Sequence, residues 1–171
     1  MSWSRRALLL SPLALAACGF HPLYSEESLA ADEPALASVQ VQRIQDRFGQ
    51  ELGWSLREAL NPRGLSVTPR YSLTMTLQQT RVDLGIQRDA TSTRGRIDVY
   101  ATIILTDLKA GKQIYNGRVQ STSAFNILQD AYAAQVAEDD ARTRTVRDLT
   151  TEIRTRLALV LRGQKKEAAE K

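Results

Sequence analysis

Histidine and cysteine each occur once in the 171 residues, as His21 and Cys18. That scarcity excludes whole classes of chemistry. A Ser-His-Asp or Cys-His arrangement needs a histidine inside the folded domain, and a zinc site needs several nitrogen or sulfur ligands. His21 stands three residues after Cys18 near the start of the chain, with no second histidine to work with. Catalytic residues, a metal and an enzymatic activity are therefore not expected. A lone cysteine forms no intramolecular disulfide either. Aromatic residues make up only 6 %, and no apolar run reaches the roughly 20 residues of a membrane-spanning helix. An excess of one charge is missing too. The formal charge is +4, and Arg5 and Arg6 precede Cys18 with no acid among them, so the chain from Cys18 onward carries +2. A nucleic-acid face needs clustered basic excess, which such a balance does not supply. No internal repeat is visible.

What is present starts with the opening, MSWSRRALLLSPLALAACGFHPLY. Arg5 and Arg6 form a positive leader, and residues 7–17 are apolar apart from Ser11 and Pro12. This reads as a secretory signal peptide. Leu15-Ala16-Ala17-Cys18 resembles the bacterial lipobox, in which a diacylglycerol joins the cysteine thiol before cleavage in front of it. Only a thiol offers a good nucleophile there, and small neighbours admit the peptidase. Cys18 is thus the expected lipidation site, carrying a covalent diacylglycerol and an N-acyl lipid. Gly19 rather than an aspartate follows it, which by analogy with Gram-negative sorting favours the outer membrane. The alternative is an ordinary secretory signal that happens to contain a free or buried cysteine. Ser4-Arg5-Arg6 lacks the rest of a twin-arginine motif and reads as part of the leader.

Residues 25–34 (SEESLAADEP) are small, acidic and turn-rich, as suits a flexible tether. Residues 38–44 (SVQVQRI) alternate like a half-buried strand. Asp46 is placed to cap a helix running to about Leu60, with Phe48, Leu52, Leu56 and Ala59 or Leu60 in one stripe. Asn61-Pro62-Arg63-Gly64 ends it. Tyr71, Leu73, Met75 and Leu77 alternate with polar residues; then the apolar parity flips to Val82, Leu84 and Ile86, which predicts a bulge near Thr80. Residues 97–105 and 113–125 form two more strands around the turn 108–112. Their polar faces, with Thr74, Thr76, Asp98, Thr102, Arg118 and Gln120, suggest a sheet covered on one side only. From about Tyr132 to Leu161 the spacing is helical, with Gly163 as the expected stop.

The predicted fold is α+β: a two-layer sandwich, a four-stranded mixed, mostly antiparallel sheet with two helices on one face. Four segments follow: a signal peptide over 1–17, a lipidated N-terminus and tether over 18–37, the domain over 38–163, and a disordered tail over 164–171.

Three clusters raise chemical questions. Glu138-Asp139-Asp140 could be imagined as an acid/base pair, yet neighbours on a helix point about 100° apart, and acids gather in first turns for the dipole alone. Trp54 reads equally as core edge or partner surface. The segment LGIQRDATSTRGRID holds Arg88, Arg94 and Arg96, whose forks suit phosphate or carboxylate; it reads either as a binding hairpin or as a solvated loop.

The order of features resembles the lipopolysaccharide-assembly lipoprotein family, LptE, in its alphaproteobacterial form. The likeness rests on the lipobox followed by Cys18-Gly19-Phe20-His21-Pro22-Leu23-Tyr24, on the strand pair with its polar hairpin, and on the closing helix around Tyr132-Ala133-Ala134 through Leu149-Thr150-Thr151-Glu152-Ile153-Arg154-Thr155-Arg156-Leu157. It extends from the lipobox to Gly163. The resemblance implies a non-catalytic outer-membrane lipoprotein, a plug and assembly partner in the lumen of the LptD β-barrel, which places lipopolysaccharide in the outer leaflet. It also implies basic contacts to lipopolysaccharide. Arg88 is the positional match, with Arg94 and Arg96 nearby, so these three are the candidate lipopolysaccharide or partner contacts. The start of the long helix has no lysine where a second basic contact is expected. The competing expectation is a free-standing periplasmic lipoprotein that binds an anionic lipid or glycan as an auxiliary to a lipid transporter.

Overall fold

The computed structural model describes residues 26–86 and 92–169. Its elements are α1 (Glu26–Ala37), β1 (Val39–Val41), α2 (Arg47–Leu60), β2 (Tyr71–Ile86), β3 (Ser92–Asp107), β4 (Lys112–Asn126) and α3 (Ala131–Ala169). The chain divides into two compact units, Met1–Ala31 and Asp32–Lys171. Of the first, only the opening of α1 is described; the second holds the sheet.

Both domain helices begin as the caps dictate. The Asp46 carboxylate accepts the Gly49 N–H at 2.6 Å, and Asp130 accepts the Ala133 N–H at 2.7 Å, each satisfying a donor the helix itself leaves free. The β3–β4 turn is held in the same way. Asp107 accepts the N–H groups of Lys109 at 2.8 Å and Ala110 at 3.0 Å, and Gly111 takes the positive φ of 63° that closes it.

The sheet order is β1-β2-β3-β4. β1 runs parallel to β2, with α2 as the crossover, and the remaining pairs are antiparallel. Helices α2 and α3 cover one face. Leu52 and Leu56 from α2, Leu73, Ile97, Val99, Ile103 and Leu105 from the sheet, and Leu149, Ile153 and Leu157 from α3 are wholly buried there. Each such aliphatic side chain contributes about 1.5–3 kcal/mol by leaving water, so this single layer is the core. The predicted two-layer sandwich with a mixed four-stranded sheet is the observed one.

Four local expectations are corrected. Glu26–Ala37 is a helix, not a turn-rich tether: Leu36 is buried, Asp32 takes Arg162 at 2.9 and 2.7 Å, and Glu33 takes Arg63 at 2.9 Å. Helix α3 runs through Gly163 to Ala169 instead of stopping, because Gln, Lys, Glu and Ala all favour helix over coil. Strand β1 is only three residues long. Finally, no bulge occurs at Thr80, since β2 pairs with β3 without a break from Tyr71↔Asp107 to Leu84↔Arg94 and on to Ile86↔Ser92. The parity flip has another cause: toward this end of the hairpin, the helix-facing side bears Arg81, which reaches the start of α3, and Val82 and Leu84 fall on the opposite face.

Candidate functional site

Strand alternation fixes what the uncovered face presents. Across β2, β3 and β4 its rows are Thr74, Ile104 and Asn116; Thr76, Thr102 and Arg118; Gln78, Tyr100 and Gln120; Thr80, Asp98 and Thr122; Val82, Arg96 and Ala124; Leu84, Arg94 and Asn126. Hydroxyl and amide groups dominate the middle of the face, and none of the described helices covers it. The longer side chains are tied down. The Arg118 guanidinium lies 4.4 Å above the Tyr100 ring, a cation–π contact. Asp98 accepts from Arg96 at 3.0 Å and from Thr122 at 2.8 Å. Gln42 donates to the Ser72 hydroxyl at 2.8 Å.

Arg94 and Arg96 belong to this face. The sequence placed them in a hairpin loop; the structure corrects this and puts them on β3, two residues apart and therefore on one side of the sheet. Arg88 and Cys18 lie outside the described residues. Strand β3 starts earlier than its apolar alternation because main-chain pairing continues where the side chains have turned polar.

The three acids of α3 separate. Glu138, buried, accepts from Arg81 at 2.9 Å and Arg142 at 2.6 Å, Asp139 faces Arg142 at 3.4 Å, and Asp140 binds Arg144. Three carboxylates committed to arginines do not form an acid/base pair. Arg81 also lies 5.5 Å above Phe125, and Phe125 lies across its β3 partner Gly95, where a Cβ would stand 2.3 Å from the ring. This knot joins the far end of the β2–β3 hairpin to α3. The sequence signal for it was the parity flip itself. Among the described residues no group of His, Cys, Asp or Glu is arranged to hold a metal, and no helix is long and apolar enough to cross a membrane.

Trp54 is 72 % exposed, which settles it as surface. It lines a hollow of about 330 Å³ with Arg43, Gly53 and Arg57.

Comparison with known proteins follows the fold and not the sequence. No family model matches the chain, and no curated protein matches it. Among solved structures, one described as a lipoprotein from Caulobacter crescentus is similar at a TM-score of 0.65 and 25 % identity, covering 78 % of this chain and 97 % of its own. This is a fold found in bacterial lipoproteins. A minor lipoprotein from Acinetobacter baumannii shares it at a TM-score of 0.55 and 15 % identity, over 71 % of this chain and 88 % of that one. A lipoprotein B from Nitrosomonas europaea does so at 0.52 and 10 %, over 70 % and 79 %. The last two likenesses concern the fold alone.

Proposed function

We propose that this chain is an outer-membrane lipoprotein similar to LptE, anchored through a diacylglycerol and N-acyl lipid on Cys18, that plugs and helps to assemble the LptD β-barrel in lipopolysaccharide transport. It acts without catalysis. The observation that carries the reading is the uncovered sheet face. A sheet buried on one side and lined on the other with hydroxyls, amides and pre-paired charges is suited to a polar wall, and the lumen of an outer-membrane barrel is such a wall. The lipobox supplies the anchor, and the fold shared with other lipoproteins agrees with it. Arg94 and Arg96, on the same face, and Arg88, outside the described residues, are the groups proposed to meet lipopolysaccharide or the barrel.

The test is a mild-detergent pull-down of the tagged protein from outer membranes, with mass spectrometry of whatever accompanies it and of its N-terminus. One large barrel protein at near-equal amount, together with a lipid-modified Cys18, is the expected result. A lipidated Cys18 without a barrel would overturn the plug and leave a free-standing lipid- or glycan-binding lipoprotein. Replacing Cys18 with Ala is expected to leave an unprocessed or mislocalised precursor; mature-sized protein in the outer membrane would refute the anchor.

A further inference from the structure

Strand β4 is the long outer strand of the sheet, fifteen residues from Lys112 to Asn126, with β3 on one side only. Its other edge carries main-chain donors and acceptors that no strand among the described residues pairs. Such an edge is a template for another strand, and soluble proteins have to block it. On the opposite side of the sheet the three-residue β1 pairs only Tyr71 to Leu73 of β2, so among the described residues β4 is the one long strand whose edge is exposed over its whole length.

Helix α3 runs antiparallel to β4 and follows its edge. Arg144 donates to the carbonyl of Ala124 at 3.0 Å, Asp148 accepts from the Ser121 hydroxyl at 3.3 Å, and Arg156 donates to the carbonyl of Arg118 at 3.0 Å. The spacings agree. Twelve residues of helix rise about 18 Å, and six residues of strand span about 20 Å, so the two guanidinium groups reach carbonyls of the same parity. In an antiparallel strand the residues whose main chain turns away from the neighbour alternate. Arg118, Gln120, Thr122 and Ala124 therefore share the outward orientation, and the arginines occupy the first and the last of the four.

Each guard is itself held. Arg144 pairs with Asp140 one turn back, and Arg156 with Glu152 at 2.7 Å. Tyr115 beside Arg156 and then Glu152 stabilise its charged form, raising its pKa further above the ordinary arginine value. The Tyr115 side chain lies along β4 over residue 117 because that residue is glycine; a Cβ there would stand 2.1 Å from the phenol oxygen.

We infer that Arg144 and Arg156 are edge guards: they close β4 against strand addition by the β4 of a second copy of this chain. The occupant is a second copy because an antiparallel β4–β4 pair brings identical outward residues, Arg118 to Ala124, face to face around one two-fold axis. With both arginines in place, an incoming strand centred on residue 121 finds only Gln120 and Thr122 free between the two capped carbonyls. The inference goes beyond the barrel reading, and its test needs no barrel, so either can fail alone.

The experiment compares the full chain, purified in detergent, with its Arg144→Ser/Arg156→Ser variant, reading the mass of the protein part by light scattering across a hundredfold concentration range. Amide hydrogen exchange over residues 116–126 is read in parallel. The native chain is expected to stay monomeric throughout. The double variant is expected to become dimeric as concentration rises, with exchange at Gln120 and Thr122 slowed about tenfold in the dimer. Adding Thr122→Pro, which removes an outward N–H from the edge, is expected to restore the monomer. A folded double variant that remains monomeric overturns the inference, as does a dimer in which exchange over 116–126 is unchanged. Should the double variant not fold, Arg156→Ser alone opens the Arg118 end, and the same two readings decide.

Discussion

The two faces of the three long strands are built from the same backbone and differ in nearly everything else. On the helix side, Leu73, Ile97, Val99, Ile103 and Leu105 are sealed from solvent, and stability comes from apolar area removed from water. On the other side, Thr76, Thr102, Arg118 and Gln120 remain in solvent, and order comes from local pairs such as Arg118 over Tyr100 and Arg96 beside Asp98. One strand pattern thus divides two tasks. The covered face makes the domain fold, and the open face is the one proposed to meet a partner.

The division predicts a graded response to substitution. Ile153→Ala, from the centre of the covered layer, is expected to cost about 2–5 kcal/mol in denaturant unfolding; a cost under 1 kcal/mol would mean that the helices carry less of the core than the burial indicates. Next comes Gly95→Ala, which forces Phe125 aside and with it the ring under Arg81. About 1–3 kcal/mol of destabilisation is expected, measured as a fall in melting temperature, and an unchanged value would show that the knot at the hairpin end is slack.

A smaller effect separates by pH. The Ala110 N–H holds the Asp107 carboxyl below the usual range, helped by Lys109 N–H and Arg70 and opposed by burial. Because the folded pKa is the lower one, its stabilisation is fully present above the ordinary aspartate value near pH ~3.9. It is lost as pH falls through the folded value. Asp107→Asn should therefore cost about 1 kcal/mol at pH 7, and the gap between the two proteins should shrink in acid; a gap independent of pH between 7 and 3 would contradict it. The smallest effects belong to the open face. Thr102→Ala and Arg118→Ser are expected to change stability by less than about 0.5 kcal/mol, while Arg118→Ser lowers recovery of the barrel in the pull-down. A stability loss equal to that of Ile153→Ala would erase the distinction between the faces.

Much of the covered face was legible in the sequence, for physical reasons that differ by element. Helix α2 announced itself through Asp46 and the stripe Phe48, Leu52, Leu56, and α3 through Leu149, Ile153 and Leu157, because burial of a helix imposes its period on apolar residues. The turn at Leu108 to Lys112 was equally plain. Helix α1 was not, since its anchoring runs through Asp32 to Arg162 and Glu33 to Arg63, ion pairs between residues far apart in sequence that leave no periodic trace. The ends of β2 and β3 were missed for a related reason. Once Arg81 and Gly95 stand where apolar residues would face the helices, alternation fades while main-chain pairing continues. Of the candidate site, the polar rows could be read from alternation alone. The pairing of Tyr100 with Arg118, the commitment of Glu138 to two arginines and the capping of the β4 edge depend on register, which composition does not encode.

Arg118 on Tyr100, and Asp98 between Arg96 and Thr122, give the open face a further property. Long polar side chains ordinarily sample many rotamers, and fixing one on association costs about 0.5–1.5 kcal/mol. These are already restricted in the unbound domain. A partner docking there would meet a surface whose conformational entropy was largely surrendered during folding, so complexes formed there should dissociate slowly for the number of contacts they contain.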